Sequence, residues 1–157
     1  MIFITLGSQK MQFNRLLKEV DRLVETGALK DEIFAQTGAS DYVPKHYAFK
    51  DFIDRDEFAA KTAACNIFIT HAGTGAIIGA VKKGKKVVAM PRLAKYGEHV
   101  DDHQMELITA FDKLGIIEPC YDEKDLGTAI ERARTGQYKE FVSNTERMVN
   151  DIRSFLG

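Results

Sequence analysis

Short apolar runs alternate along the chain with longer stretches in which apolar residues recur at helical spacing. This alternation predicts an α/β architecture with a parallel sheet. Met1 to Leu6 is a continuous apolar-rich run closed by Gly7-Ser8, the pattern of a buried first strand. Phe13, Leu16, Leu17, Val20, Leu23 and Val24 follow at helical spacing, and Gly27 ends the helix they predict. Ile33-Phe34-Ala35-Gln36 reads as a second strand broken by Gly38, residues 38–46 as loop, and Tyr47 to Phe49 as a third strand. Asp54 or Asp56 is placed to cap a short helix running through Ala64. Asn66-Ile67-Phe68-Ile69-Thr70 is the clearest strand. It ends at His71-Ala72-Gly73-Thr74-Gly75, and Ala76, Ile77, Ala80 and Val81 continue as a helix. Lys86 to Met90 is another strand, ended by Pro91. A polar loop over 92–98 precedes a helix from about His99 to Leu114. Ile116 to Glu118 is a last short strand, and 123–156 reads as helical with a break near Gly136. No repeat or linker-like tract divides the series, so residues 1–157 read as one domain.

Composition narrows the function classes. A chain of 157 residues can hide roughly 68–70% of its unfolded surface, and 45% apolar with 29% charged residues argues against disorder. The 22 basic and 23 acidic residues give a net charge of -1. That supplies no whole-protein field for nucleic acid, so no nucleic-acid partner is expected. No apolar run reaches the roughly 18–20 residues of a membrane span. The start shows neither a basic leader nor a small-residue cleavage site, which makes a cytoplasmic location the expectation. Cys65 and Cys120 form no disulfide framework. Cys65 reads as packing, and Cys120 carries no assigned role.

Ligands of an open parallel sheet bind beyond the carboxyl ends of its strands. Three such ends carry unusual residues: Gly7-Ser8-Gln9, His71 to Gly75, and the segment from Pro91-Arg92 onward. Gly73 and Gly75 let backbone approach a ligand closely. The helix that follows aims its N-terminus at that ligand, which suits a diphosphate. The dinucleotide and P-loop fingerprints are both absent. A tight strand-to-helix turn with Thr74 as a cap is the alternative, and spacing alone leaves both open. Glu98-His99-Val100-Asp101-Asp102-His103-Gln104 concentrates histidines and carboxylates. On a helix, His99 and His103 would share one face. Zinc binding, an N-capped acidic first turn and sugar or ribose recognition are the readings, with metal the least favoured because no third ligand is evident. Lys82, Lys83, Lys85 and Lys86 read as solvated charges at a helix C-terminus, with an anionic membrane surface as the alternative.

These residues resemble the C-terminal, nucleotide-sugar-binding half of glycosyltransferase family 28. The matching pieces are Phe3-Ile4-Thr5-Leu6-Gly7-Ser8, Asp51-Phe52-Ile53, Ile69 through Gly75, and Pro91-Arg92 through Leu107. The likeness is closer to the small subunits of two-subunit UDP-sugar transferases, of both the dolichol-linked and the bacterial exopolysaccharide kind. The resemblance implies a Rossmann-like parallel sheet with helices on both faces, forming a single GT-B lobe. It implies a donor-binding, catalytic-lobe subunit of an inverting UDP-sugar transferase, with a lipid-diphosphate-linked saccharide as acceptor and no cofactor or metal. A membrane-anchored second subunit would recruit the chain to the inner membrane face; homo-oligomers are also compatible. By the same resemblance, Phe52 and Ile53 read uracil through backbone groups. His71, Gly73, Thr74 and Gly75 belong to the diphosphate turn, Gly7 and Ser8 face the cleft, and Arg92 lies in the matching loop. His103 and Gln104 contact the donor sugar. Relatives carry an acid for the ribose where this chain has Gly79. The catalytic base is expected from the other lobe, with His99 and then Glu98 and Asp101 as local candidates. A non-catalytic accessory subunit is the alternative function.

Overall fold

The structure is a computed structural model that describes residues 1–7, 10–141 and 147–151. Six parallel strands form one sheet: β1 (Ile2–Thr5), β2 (Ile33–Gln36), β3 (Ala48–Lys50), β4 (Ile67–Thr70), β5 (Lys86–Ala89) and β6 (Glu118–Pro119). Their order is β3-β2-β1-β4-β5-β6. The helices are α1 (Asn14–Glu25), α2 (Arg55–Ala64), α3 (Thr74–Lys82), α4 (His103–Leu114) and α5 (Leu126–Thr135).

The centre of the sheet explains why its strands are apolar throughout. Ile2, Phe3 and Ile4 of β1 stand in register with Ile33, Phe34 and Ala35 on one side and with Ile67, Phe68 and Ile69 on the other. Successive side chains leave opposite faces of a strand. The isoleucines therefore meet α1 and α5 in one core, which holds Leu16, Leu17, Val20, Leu126 and Ile130. The phenylalanines meet α2, α3 and α4 in the other, with Phe58, Ile77, Ile108 and Phe111. Phe3 packs edge-on against Phe58 at 5.3 Å and Phe68 at 5.6 Å between ring centroids.

Three elements differ from the sequence reading, the last strand by lying at Glu118–Pro119 rather than Ile116 to Glu118. Helix α4 starts at His103, four residues later than expected, so His99 and His103 do not share a helical face. The Asp101 side chain accepts from the His103 backbone N–H at 3.0 Å, and Asp102 from that of Ala94 at 2.9 Å. These bonds hold 99–102 in turns ahead of the helix. The C-terminal stretch comprises a 3-10 turn at Glu123–Asp125, α5, and a helical segment at 147–151 whose Val149 is buried in the second core. Ile152 and Phe155, read as part of that tail, lie outside the described residues.

The lysine cluster is partly structural. Lys85 Nζ donates to the carbonyls of Ala63 and Cys65, and Lys86 Nζ to those of Arg134 and Gly136. These ammonium groups satisfy the carbonyl ends of α2 and α5. Both cysteines are free and buried, and burial raises both thiols, Cys120 to about 12. Cys120, just past β6, is packed into the first core.

Candidate functional site

The strand order reverses between β1 and β4, which opens a crevice beyond their carboxyl ends. His71 follows β4 directly and is buried there. A Cβ on Gly7, whose φ is +73°, would lie 2.8 Å from His71 Nε2. A Cβ on Gly73 would lie 2.7 Å from the same nitrogen. Both glycines are thus demanded by the imidazole between them, a packing reason that the close-approach argument did not contain. Ser8 lies outside the described residues. Gly73 is the N-cap of α3, and no side chain caps that terminus. Thr74 is the first helical residue rather than the cap. The N–H groups of the first turn have no intrahelical acceptor, and they open at the crevice. Gly75 is exposed, and a Cβ there meets nothing within 4 Å.

Three residues expected to touch the ligand or the reacting atoms are instead committed inside the protein. Gln104 is buried; its Oε1 accepts from the backbone N–H groups of Ala72 at 3.3 Å and Arg92 at 3.0 Å, and its Nε2 lies 3.2 Å from His71 Nδ1. Both acceptor positions of the amide oxygen are taken, so it has none left for a sugar hydroxyl. Arg92 is fully buried, and its guanidinium donates to the carbonyls of Leu6, Met11, Gln12 and Glu98. It ties the segment after β1 to the segment after β5 and does not face the crevice. Burial pulls it down to about 10, so it stays charged at neutral pH. Glu98 is buried in a two-bond ion pair, its carboxylate accepting from Arg15 Nε and a terminal guanidinium nitrogen, each at 3.0 Å. It also accepts from the Leu93 N–H at 3.0 Å. A carboxylate so occupied is an anchor for the 93–98 loop and not a general base.

His71 is pushed down to about 3, first by burial and then by the charge of Arg92. It is a neutral imidazole at neutral pH. His99 stands close enough to add to that depression. His99 Nδ1 lies 3.0 Å from Asp101 Oδ1, and His103 Nδ1 lies 3.4 Å from Asp101 Oδ2, so one carboxylate holds two imidazoles. The described residues hold no group of three or more His, Cys, Asp or Glu placed to bind a metal ion. His103, the first residue of α4, is more than half exposed.

Beyond β3, Phe52 is exposed while Ile53 is half-buried. The Ile53 N–H donates to Gln36 Oε1 at 3.1 Å, and the Phe52 N–H to Asp51 Oδ1 at 2.8 Å. Any base recognition by this segment falls to its carbonyls. Gln36, read in the sequence only as the end of a strand, fixes this segment: its Nε2 donates to Thr5 Oγ1 at 3.1 Å, tying the end of β2 to β1. The available signal was a glutamine closing an otherwise apolar strand. Arg15 was missed because its partners Glu98 and Glu123 lie far along the chain. A separate cleft of about 620 Å³ flanks α1, lined by Arg15, Lys18, Tyr96, Glu98 and other polar residues that largely pair among themselves.

The chain belongs to glycosyltransferase family 28: the model of that family's C-terminal domain matches residues 1–154. Solved structures of low sequence identity share the fold. The glycotransferase of kitacinnamycin is 17% identical with a TM-score of 0.63, the match covering 99% of this chain and 38% of that one. The calicheamicin glycosyltransferase CalG4 is 15% identical with a TM-score of 0.60, covering 99% of this chain and 37% of that one. The solution structure of ALG13 is 18% identical with a TM-score of 0.64, covering 96% and 94% of the two chains. Acinetobacter baumannii MurG is 17% identical with a TM-score of 0.53, covering 96% of this chain and 49% of that one. This chain therefore spans well under half the length of the first two and nearly all of ALG13, and it corresponds to one GT-B lobe. Curated protein sequences give no match.

Proposed function

We propose that this chain is the donor-binding lobe of an inverting UDP-sugar glycosyltransferase whose acceptor is a lipid-diphosphate-linked saccharide of exopolysaccharide or glycolipid synthesis. The observation that carries the reading is the uncapped N-terminus of α3, opening beside neutral His71 at the strand-order reversal. Its N–H groups and dipole suit the diphosphate of the donor. They act where charge develops, on the departing UDP. Gly73, Thr74 and Gly75 line that turn, and the carbonyls of Phe52 and Ile53 take the uracil N3–H. His103 faces the sugar. The acceptor's base comes from an opposing lobe on a membrane-associated partner. Within this chain His99, held through Nδ1 by Asp101, is the local candidate.

Gly75→Val tests the diphosphate turn. The new side chain enters open space and the backbone is not left-handed, so the protein folds. Hydrogen bonds to charged groups are worth about 1.5–3 kcal/mol, so calorimetry should show UDP binding weakened roughly ten- to hundredfold. Unchanged affinity in the folded variant puts the nucleotide elsewhere.

The glycine at 79 and the internally bound Gln104 amide favour one rival, an accessory subunit that binds no nucleotide. Absence of UDP binding at millimolar ligand would establish it. A second variant bears on the same choice. A Cβ on Gly79 meets nothing within 4 Å, so Gly79→Glu can reach toward a ribose from α3. It should tighten UDP binding by roughly 0.5–1.5 kcal/mol, the net worth of one hydrogen bond. Calorimetry against 2′-deoxy-UDP checks this, since the gain should vanish without the hydroxyl.

A further inference from the structure

We infer that Gln104 is a positioning residue that places the proton of His71 on Nε2, so that the ring offers a neutral N–H donor between Gly7 and Gly73. The argument begins with the backbone. The N–H groups of Ala72 and Arg92 can only donate, and both point at one end of the Gln104 amide. That end must be the oxygen. Turning the amide over would set its NH₂ against two N–H donors and leave all three without an acceptor in a buried place. With the oxygen fixed, the NH₂ faces His71 Nδ1 at 3.2 Å. An amide NH₂ has no acceptor to offer, so Nδ1 must accept and carries no proton. Burial and the neighbouring Arg92 charge keep the ring neutral, and a neutral imidazole holds its single proton on the other nitrogen.

Nε2 lies 2.8 Å from where a Cβ on Gly7 would be and 2.7 Å from where one on Gly73 would be. It has no hydrogen-bond partner among the described residues. Gln104 thus links β4, β5 and α4 through one amide, and the information passed is the orientation of a proton. For the donor-lobe reading, on which this consequence rests, the Nε2–H supplies one uncharged donor for a diphosphate oxygen beside the α3 N-terminus. The protonation assignment itself stands apart from that reading.

The test is a long-range ¹H–¹⁵N correlation spectrum of the ligand-free, ¹⁵N-labelled chain at neutral pH. The expected pattern for His71 is a protonated Nε2 and a bare Nδ1. A protonated Nδ1 in the wild-type protein overturns the inference. Gln104→Glu keeps one oxygen for Ala72 and Arg92 but presents the second, an acceptor, to Nδ1. In that variant Nδ1 should gain a proton, and a folded Q104E with Nδ1 still bare overturns the inference too. The wild-type spectrum decides alone if Q104E does not fold. Titration with UDP is read separately. A shift of the His71 Nε2–H resonance on binding supports the contact with the diphosphate. An unmoved resonance in UDP-bound protein refutes that contact. Absence of UDP binding refutes the donor-lobe reading and leaves the proton assignment to the ligand-free spectra.

Discussion

Assayed alone with UDP-sugars and a lipid-diphosphate acceptor, the purified chain should give no measurable transfer, and addition of the partner lobe should restore it. The candidate site lies at the open carboxyl edge of one sheet, at the β1–β4 reversal. Its described groups suit a diphosphate: the α3 N-terminus and the neutral imidazole of His71. Among the described residues, the proposed reading assigns none to orienting an acceptor hydroxyl against the donor's anomeric carbon. Such orientation accounts for roughly 7–11 kcal/mol of barrier in well-positioned reactions. At about 1.36 kcal/mol per tenfold, its loss slows transfer by about five to eight orders of magnitude. The base adds a further factor of roughly 10²–10⁴. Transfer by the chain alone would overturn the two-lobe reading and move the base to His99. The decisive variant would then be Asp101→Asn. It keeps the geometry near His99 Nδ1 but removes the carboxylate that holds the ring, so kcat should fall.

The sheet was legible in the sequence because its strands are apolar on both faces, and Ile2-Phe3-Ile4 and Ile67-Phe68-Ile69 announce themselves without alternation. Which residue meets which helix was not legible, since isoleucine and phenylalanine suit either face. The turn between β4 and α3 was legible too, because Gly73 and Gly75 punctuate the end of an apolar run. The polar segment 92–104 was where sequence reasoning failed. Glu98, Arg92 and Gln104 are residue types that contact sugars and phosphates, and they sit in a loop beyond a strand end. Their burial is decided elsewhere. Glu98 is drawn inward by Arg15, 83 positions away. Arg92 is held by the carbonyl of Leu6, 86 positions away. Gln104 is held by Ala72, 32 positions away. No local period carries such pairings. The same bonds explain the late start of α4: with Glu98 pulled into the protein and Asp101 capping His103, residues 99–102 cannot continue a helix. Polarity in a loop thus separated two populations only after folding, a buried frame and an exposed rim formed by Gly75, Phe52 and His103.

Glu98→Ala should destabilise the protein by about 3–5 kcal/mol, the scale of removing one partner from a buried ion pair. The pair is well excluded from water, with side-chain exposures of 11% for Arg15 and 1% for Glu98. Without the carboxylate, Arg15 keeps Glu123 at 2.8 Å and the Pro91 carbonyl at 3.1 Å but loses both bonds it donates to Glu98. The Leu93 N–H loses its acceptor as well. For a chain of this length the loss corresponds to a fall in Tm of roughly 6–20 °C, readable by thermal unfolding at neutral pH. The apolar replacement of both partners separates the charge from the space it fills. Arg15→Met with Glu98→Leu removes two desolvated charges together, and such exchanges are often neutral or stabilising, so the double variant should recover much of the loss. Glu98→Gln distinguishes anchor from base. An anchor predicts a lowered Tm, with activity in the assembled enzyme largely retained below the transition. A general base predicts an unchanged Tm with transfer abolished. That second pattern would return Glu98 to the reaction and require the 93–98 loop to open before chemistry.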